Sequence, residues 1–172
     1  MKVSLNWLRE WVAPDVDAET LAARLSLAGL ESEAAPMLSR LPSQMVVGRI
    51  AQIAAHPDAD RLRVCQVDVG GTELQQIVCG APNAAAGLLV PAALPGAELP
   101  GGIKIKRAKL RGVESAGMLC SASELGLAEK SAGLMPLPGD AVPGTAVTEL
   151  LNLDDHIPVS YTHLTLPTKR IV

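Results

Sequence analysis

The chain has 172 residues, with 15 Lys and Arg against 18 Asp and Glu, and its side chains are 48% apolar, 19% charged and 2% aromatic. This length suits one or two domains, and 15 Gly with 13 Pro point to many turns without a low-complexity composition. No stretch approaches the roughly 18 uninterrupted apolar residues of a membrane span, and the start Met1–Trp7 lacks the apolar run of a signal peptide. A cytoplasmic protein without membrane contact is expected.

Ser4 is placed to cap a first helix in which Leu5, Leu8 and Val12 have helical spacing, and Pro14 ends it. Trp7 and Trp11, four apart on a flanking face, read as packing or partner-interface groups rather than as a base-stacking platform. Asp17 caps a second helix, Ala18 to Ala28, with Leu21, Leu25 and Ala28 as its stripe and Gly29 at its C-terminal turn. Residues 30–34 alternate like an edge strand. From Met45 the period changes to two. One strand ends at His56-Pro57, a second runs from Leu62 to Val69 before Gly70-Gly71, and a third runs from Leu74 to Cys79 before Gly80-Ala81-Pro82-Asn83. Residues 88–111 continue the pattern. The fold class is therefore α+β: a small helical and strand segment (1–39), then a small antiparallel barrel or sandwich (40–150), then the start of a further segment (151–172). Ser121 to Leu127 reads as one capped helical turn, and Val142-Pro143-Gly144-Thr145 opens a last short helix through Leu151.

Little here looks like a reaction centre. Cys65, Cys79 and Cys120 lack the spacing of a disulfide framework or a zinc cluster, even with His56 added, and read as small buried hydrophobes. In His56-Pro57-Asp58-Ala59-Asp60 the residue types suit acid–base work or metal binding, but the run is also good turn chemistry and no nucleophile accompanies it. Gly70-Gly71 and Gly101-Gly102 fit neither phosphate-loop spacing. No catalytic residue and no metal ligand is assigned.

The net charge of −3 hides an uneven distribution. Residues 1–39 hold 3 cations and 6 anions, residues 40–150 hold 10 of each, and residues 151–172 hold 2 of each. Inside the neutral middle, Lys104-Ile105-Lys106-Arg107-Ala108-Lys109-Leu110-Arg111 places five cations in eight residues. Ile103 and Ile105 are out of phase with Ala108 and Leu110, so a bulge or bend near Arg107 is expected to restore one apolar face and turn the cations outward as a basic ridge. Such a ridge neutralises phosphates without reading bases; the plainer alternative is a Lys-protected strand edge. Residues 40–150 contain no aromatic residue, which disfavours binding by base stacking.

Several ordered strings carry a resemblance. Val46-Val47-Gly48-Arg49-Ile50, His56-Pro57-Asp58-Ala59-Asp60-Arg61-Leu62, Val67-Asp68-Val69-Gly70, Gln76-Ile77-Val78-Cys79-Gly80-Ala81-Pro82-Asn83 and Lys109-Leu110-Arg111-Gly112-Val113-Glu114-Ser115-Ala116-Gly117-Met118-Leu119-Cys120 resemble the tRNA-binding OB-fold domain of the EMAP-II kind. Met1-Lys2-Val3-Ser4-Leu5-Asn6-Trp7-Leu8 and Gly29-Leu30-Glu31-Ser32-Glu33 look like the start of bacterial phenylalanyl-tRNA synthetase β subunits. The resemblance covers residues 1 to about 157 and implies a truncated chain. It implies an OB barrel, tRNA (tRNA-Phe) as partner with no DNA, and an α subunit in an α2β2 ligase that charges tRNA with phenylalanine. ATP and Mg2+ belong to the parent enzyme, whose catalytic site lies on the α subunit, so this piece is expected to be non-catalytic. Within the barrel, the residues expected to meet RNA are Lys104, Lys106, Arg107, Lys109 and Arg111, with Arg49, Arg61 and Arg63 weaker. A free-standing tRNA-binding or chaperone-like module is the alternative.

After Asp154-Asp155-His156-Ile157 the chain departs from the resembled pattern. Residues 158–172 are expected to be a non-native, poorly packed tail.

Overall fold

The computed structural model describes residues 4–36, 41–42, 44–153 and 156–160. In chain order the elements are α1 Leu5–Arg9, α2 Ala18–Leu27, β1 Ser32–Pro36, β2 Met45–His56, β3 Ala59–Asp68, β4 Gln75–Cys79, β5 Leu89–Ala93, β6 Glu98–Leu99, β7 Ile103–Lys104, β8 Ala108–Leu110, β9 Val113–Ser115, β10 Met118–Leu119, α3 Val147–Leu150 and β11 His156–Ser160. They divide into two compact units, Met1–Met37 with Asp154–Val172, and Leu38–Leu153.

In the first unit the expected caps are in place. The Trp7 amide donates to Ser4 Oγ at 3.0 Å, and the Thr20 amide to Asp17 Oδ1 at 2.7 Å. The bonds from Thr20 hold the Asp17 carboxyl below its ordinary value. The apolar stripe of α2 is rotated from the expected one: Ala18 and Ala22 are buried, Leu21 and Leu25 half-buried, and Ala28 exposed. The Trp pair does not enter a core. Leu5 takes the buried face of α1, while Trp7 and Trp11 stay 54% and 74% exposed and meet each other edge-on, centroids 6.3 Å apart. Strand β11 pairs antiparallel with β1, Ser160 opposite Ser32 and His156 opposite Pro36. Residues 158–160 of the expected tail thus lie in a strand ladder, and the remainder of it, 161–172, falls outside the described residues.

The second unit is an antiparallel sheet in the order β10-β5-β2-β3-β4. Strand β2 serves two neighbours: Met45 to Arg49 pair with β5, and from Arg49 onward it pairs with β3. Ala51 is an extra residue in the β2–β3 register, a bulge that bends the strand and lets the sheet curl. Gly48 sits inside the bend, where a Cβ would come within 2.8 Å of Val67 and 3.0 Å of Ala92. Met45, Val47, Ile50, Cys65, Val67, Ile77 and Val90 fill the interior at zero exposure.

The curl brings β4 round to the chain leading into β10. The Ala116 amide donates to Gln76 O at 2.8 Å, and Gln76 Nε2 to Glu114 O at 2.8 Å. Between them a side chain substitutes for a rung of the ladder: buried Ser115 Oγ accepts from the Val78 amide and donates to Gly117 O, both at 3.0 Å. The expected antiparallel OB barrel is thus present, nearly closed. Ser115→Ala leaves the Val78 N–H and Gly117 C=O without these bonds, and the expected cost is about 1–3 kcal/mol. Thermal unfolding followed by circular dichroism should show a midpoint lower by roughly 5–20 °C; an unchanged midpoint would show that the seam closes without the hydroxyl.

The three thiols lie in this core. Burial pushes Cys65 up to about 11, and burial followed by the Glu124 carboxylate pushes Cys120 up to about 12; Cys79 is also raised, chiefly by burial. All three therefore stay protonated at neutral pH and pack as apolar groups.

Candidate nucleic-acid interface

Two connections stand together at one end of the barrel. The turn between β2 and β3, residues 57–58, is two residues long, whereas β5 and β10 are joined by a long insertion that carries β6 to β9 and the cationic run. His56, 5% exposed, ties them. Its Nδ1 accepts from the Asp58 amide at 3.1 Å, so the ring proton sits on Nε2, which donates to Leu110 O at 3.0 Å. Arg111 Nη1 adds a bond to Asp58 O at 3.4 Å. In the cluster around His56 both ring nitrogens are thus engaged, fixing the insertion against the turn.

The break expected near Arg107 is present, since β7 ends at Lys104 and β8 begins at Ala108. Its expected reason is corrected. Only Ile105 is buried; Ile103 is 54% and Leu110 41% exposed, and Ala108 is exposed too. Among the described residues, strand β7 pairs only with β6, and β8 only with β9. Two small hairpins leave the barrel instead of one bent strand crossing it, so no second layer covers a shared apolar face.

The hairpins wall a groove of about 730 Å3 across the outer face of β3 and β4. Leu62 and Val78 form its floor, Lys104 and Lys106 one wall, and the turn at 121–134 the other. Arg107 and Lys109 do not line it; they border a smaller cleft of about 340 Å3 with Glu114 and Ala116, on the other side of the β8–β9 hairpin. The ridge therefore has two slopes.

Its cations also differ in how they are held. Lys104 pairs with Glu98 at 3.6 Å and Lys109 with Glu114 at 3.5 Å, all four side chains more than half exposed. Lys106 and Arg107 are exposed with no ion pair among the described residues. Arg49 lies elsewhere, paired at 3.0 Å with Asp68, at the far end of β3 from the 57–58 turn. Arg63 donates to Ala84 O at 2.9 Å. Arg61 is exposed just past the turn, and alternation along β3 puts it and Arg63 on the opposite face from Leu62.

The turn at 121–134, whose start the sequence marks as one capped helical turn, adds polar groups to the groove. Ser121 N and Oγ both donate to Glu124 Oε2, at 2.6 and 2.7 Å, a Ser-x-x-Glu cap whose spacing was visible in the sequence. Asn83 fixes the turn to the loop after β4, donating through Nδ2 to Leu134 O at 2.9 Å and accepting from the Leu134 amide at 2.8 Å.

A five-stranded OB-type barrel with a cationic insertion beside its β3–β4 face has the architecture of an oligonucleotide-binding module. A family model described as "Putative tRNA binding domain" matches residues 45–146, and the chain belongs to that family. Over 155 residues it is 55% identical to a phenylalanine–tRNA ligase β subunit of Nitrosococcus oceani, covering 90% of this chain and 20% of that one. With its counterpart in Bordetella parapertussis it shares 57% identity over 155 residues, 90% of this chain and 19% of the other. The chain thus spans about a fifth of the length of the curated relatives it matches. A crystal structure of a MetRS related protein from Pyrococcus horikoshii aligns at 27% identity with a TM-score of 0.46, covering 60% of this chain and 88% of that one.

Proposed function

We propose that this chain is the tRNA-binding, N-terminal part of the β subunit of a phenylalanine–tRNA ligase, working in the cytoplasm with an α subunit in an α2β2 assembly. The observation that carries the reading is the cationic insertion, Lys104, Lys106, Arg107, Lys109 and Arg111, pinned beside the β3–β4 groove within the family match. Its task is to hold tRNA by the phosphate chain: each Lys or Arg that neutralises a phosphate releases condensed counterions, so binding is strong at low salt and carries little base information. The exposed pairs to Glu98 and Glu114 are worth at most about 1 kcal/mol and open readily to phosphate.

The joining of phenylalanine to tRNA lies outside this chain. In this reading ATP and Mg2+ belong to other parts of the parent enzyme, and no step here runs through them. Titration of labelled tRNA-Phe across a salt series tests the proposal. The logarithm of the affinity should fall linearly with the logarithm of salt concentration, with no aminoacylation by this chain alone. Absence of tRNA binding at low ionic strength, or charging by the isolated chain, would overturn it.

A further inference from the structure

We propose that the β3–β4 groove is a nucleotide pocket in which Glu124 selects an unpaired guanine, an inference that rests on the tRNA-binding reading. Glu124 lines the groove. Both bonds it accepts, from Ser121 N and Ser121 Oγ, go to Oε2. Oε1 accepts none among the described residues, and no buried side-chain oxygen there lacks a partner. Oε1 is therefore accessible to solvent, on a side chain that lines the groove, with its lone pairs unused. Nor does a cation neutralise the carboxylate, since the ion pairs among the described residues are Arg49–Asp68, Lys104–Glu98 and Lys109–Glu114.

A bare carboxylate repels phosphate, so in a groove facing RNA it is useful toward hydrogen-bond donors: the ribose hydroxyl, which all four nucleotides share, and the N–H groups by which the bases differ. Unpaired bases are read on their Watson–Crick edges, and there guanine carries two neighbouring donors, N1–H and the N2 amino group. Both can converge on one oxygen. Adenine and cytosine offer a single amino group beside an acceptor, and uracil a single N–H flanked by two carbonyls that the carboxylate repels. The remaining walls suit a nucleotide. Lys104 and Lys106 stand in the same groove to take its phosphate, while Leu62, Val78 and Met118 supply apolar contact where aromatic stacking is unavailable. The volume of about 730 Å3 is ample for one nucleotide.

The test uses single-stranded RNA hexamers that differ only in one central guanosine, inosine or adenosine, bound to this chain at fixed salt. The expected order is guanosine tightest, about tenfold over adenosine, with inosine between because it lacks the N2 amino group. Glu124→Gln keeps an oxygen for the two Ser121 bonds but turns an amide donor toward the groove, so the guanosine preference should fall to about onefold. Equal binding of the three hexamers by the unaltered chain would overturn the inference without needing the variant. So would a uniform rise in affinity of Glu124→Gln for all three, which would mark the carboxylate as a mere repeller of phosphate. If the chain binds tRNA but shows no guanosine preference, only this inference falls; if it binds no RNA, the tRNA-binding reading falls with it.

Discussion

The double substitution Lys106→Ala with Arg107→Ala is expected to weaken tRNA binding by about 10- to 100-fold at low salt and to flatten the salt dependence by about two units of slope, one for each lost phosphate contact. Neither side chain has an ion-pair partner to forfeit among the described residues, and both are exposed, so stability should change by less than about 0.5 kcal/mol. The loss would therefore be one of binding. Lys104→Ala with Lys109→Ala should have a smaller effect, because each first has to leave its glutamate at 3.6 or 3.5 Å. Arg49→Ala is the internal control: it sits at the far end of β3 in a 3.0 Å pair with Asp68 and should leave the slope unchanged. Equal slopes for the Arg49 and Lys106/Arg107 variants would show that the insertion does not meet phosphate, leaving the barrel as a brace.

Gly70→Ala should cost about 2–5 kcal/mol of stability, far more than the same change at Gly71 or Gly87. Two effects add. At φ +79° an L residue pays about 1–2 kcal/mol. In addition a Cβ would stand 2.7 Å from Gly144 Cα and from Pro143 O, and overpacking of that kind costs about 1–3 kcal/mol. The crossing matters because the segment it touches is bonded to β2, through the Gly144 amide to Val47 O and the Val47 amide to Thr145 O, each at 2.8 Å. Displacing that segment also pulls on Val147, fully buried at the start of α3. Two controls separate the terms. Gly87 has φ +85° with nothing near its missing Cβ, so Gly87→Ala carries the backbone term alone; Gly71 lacks a positive φ and meets only Glu73 O at 3.9 Å, so Gly71→Ala should be close to neutral. Chemical denaturation of the three variants gives the comparison, and similar midpoints for Gly70→Ala and Gly87→Ala would remove the close approach from the account.

Much of the fold was legible because local rules carry it. Period-two patterning located β2, β3 and β4 to within a few residues, and Ser4, Asp17 and the Ser121-x-x-Glu124 spacing marked capped turns, since a cap needs only a residue three positions away. The cationic run was equally plain, and so was the break inside it.

What residue identity alone determined about this protein is therefore where its chain turns, where it extends, which family its strings match and where positive charge accumulates. Tertiary structure decided the rest. Whether Ile103 is covered depends on whether β7 crosses the barrel or pairs only with β6. Which cations share a groove depends on a His56 bond to Leu110, 54 residues away. The seam at Ser115 joins Val78 across 37 residues, the Asn83 clamp reaches Leu134 across 51, and Gly70 meets Gly144 by backbone contact. Patterning reports only neighbours along the chain, whereas each of these depends on groups that become neighbours only when the barrel closes.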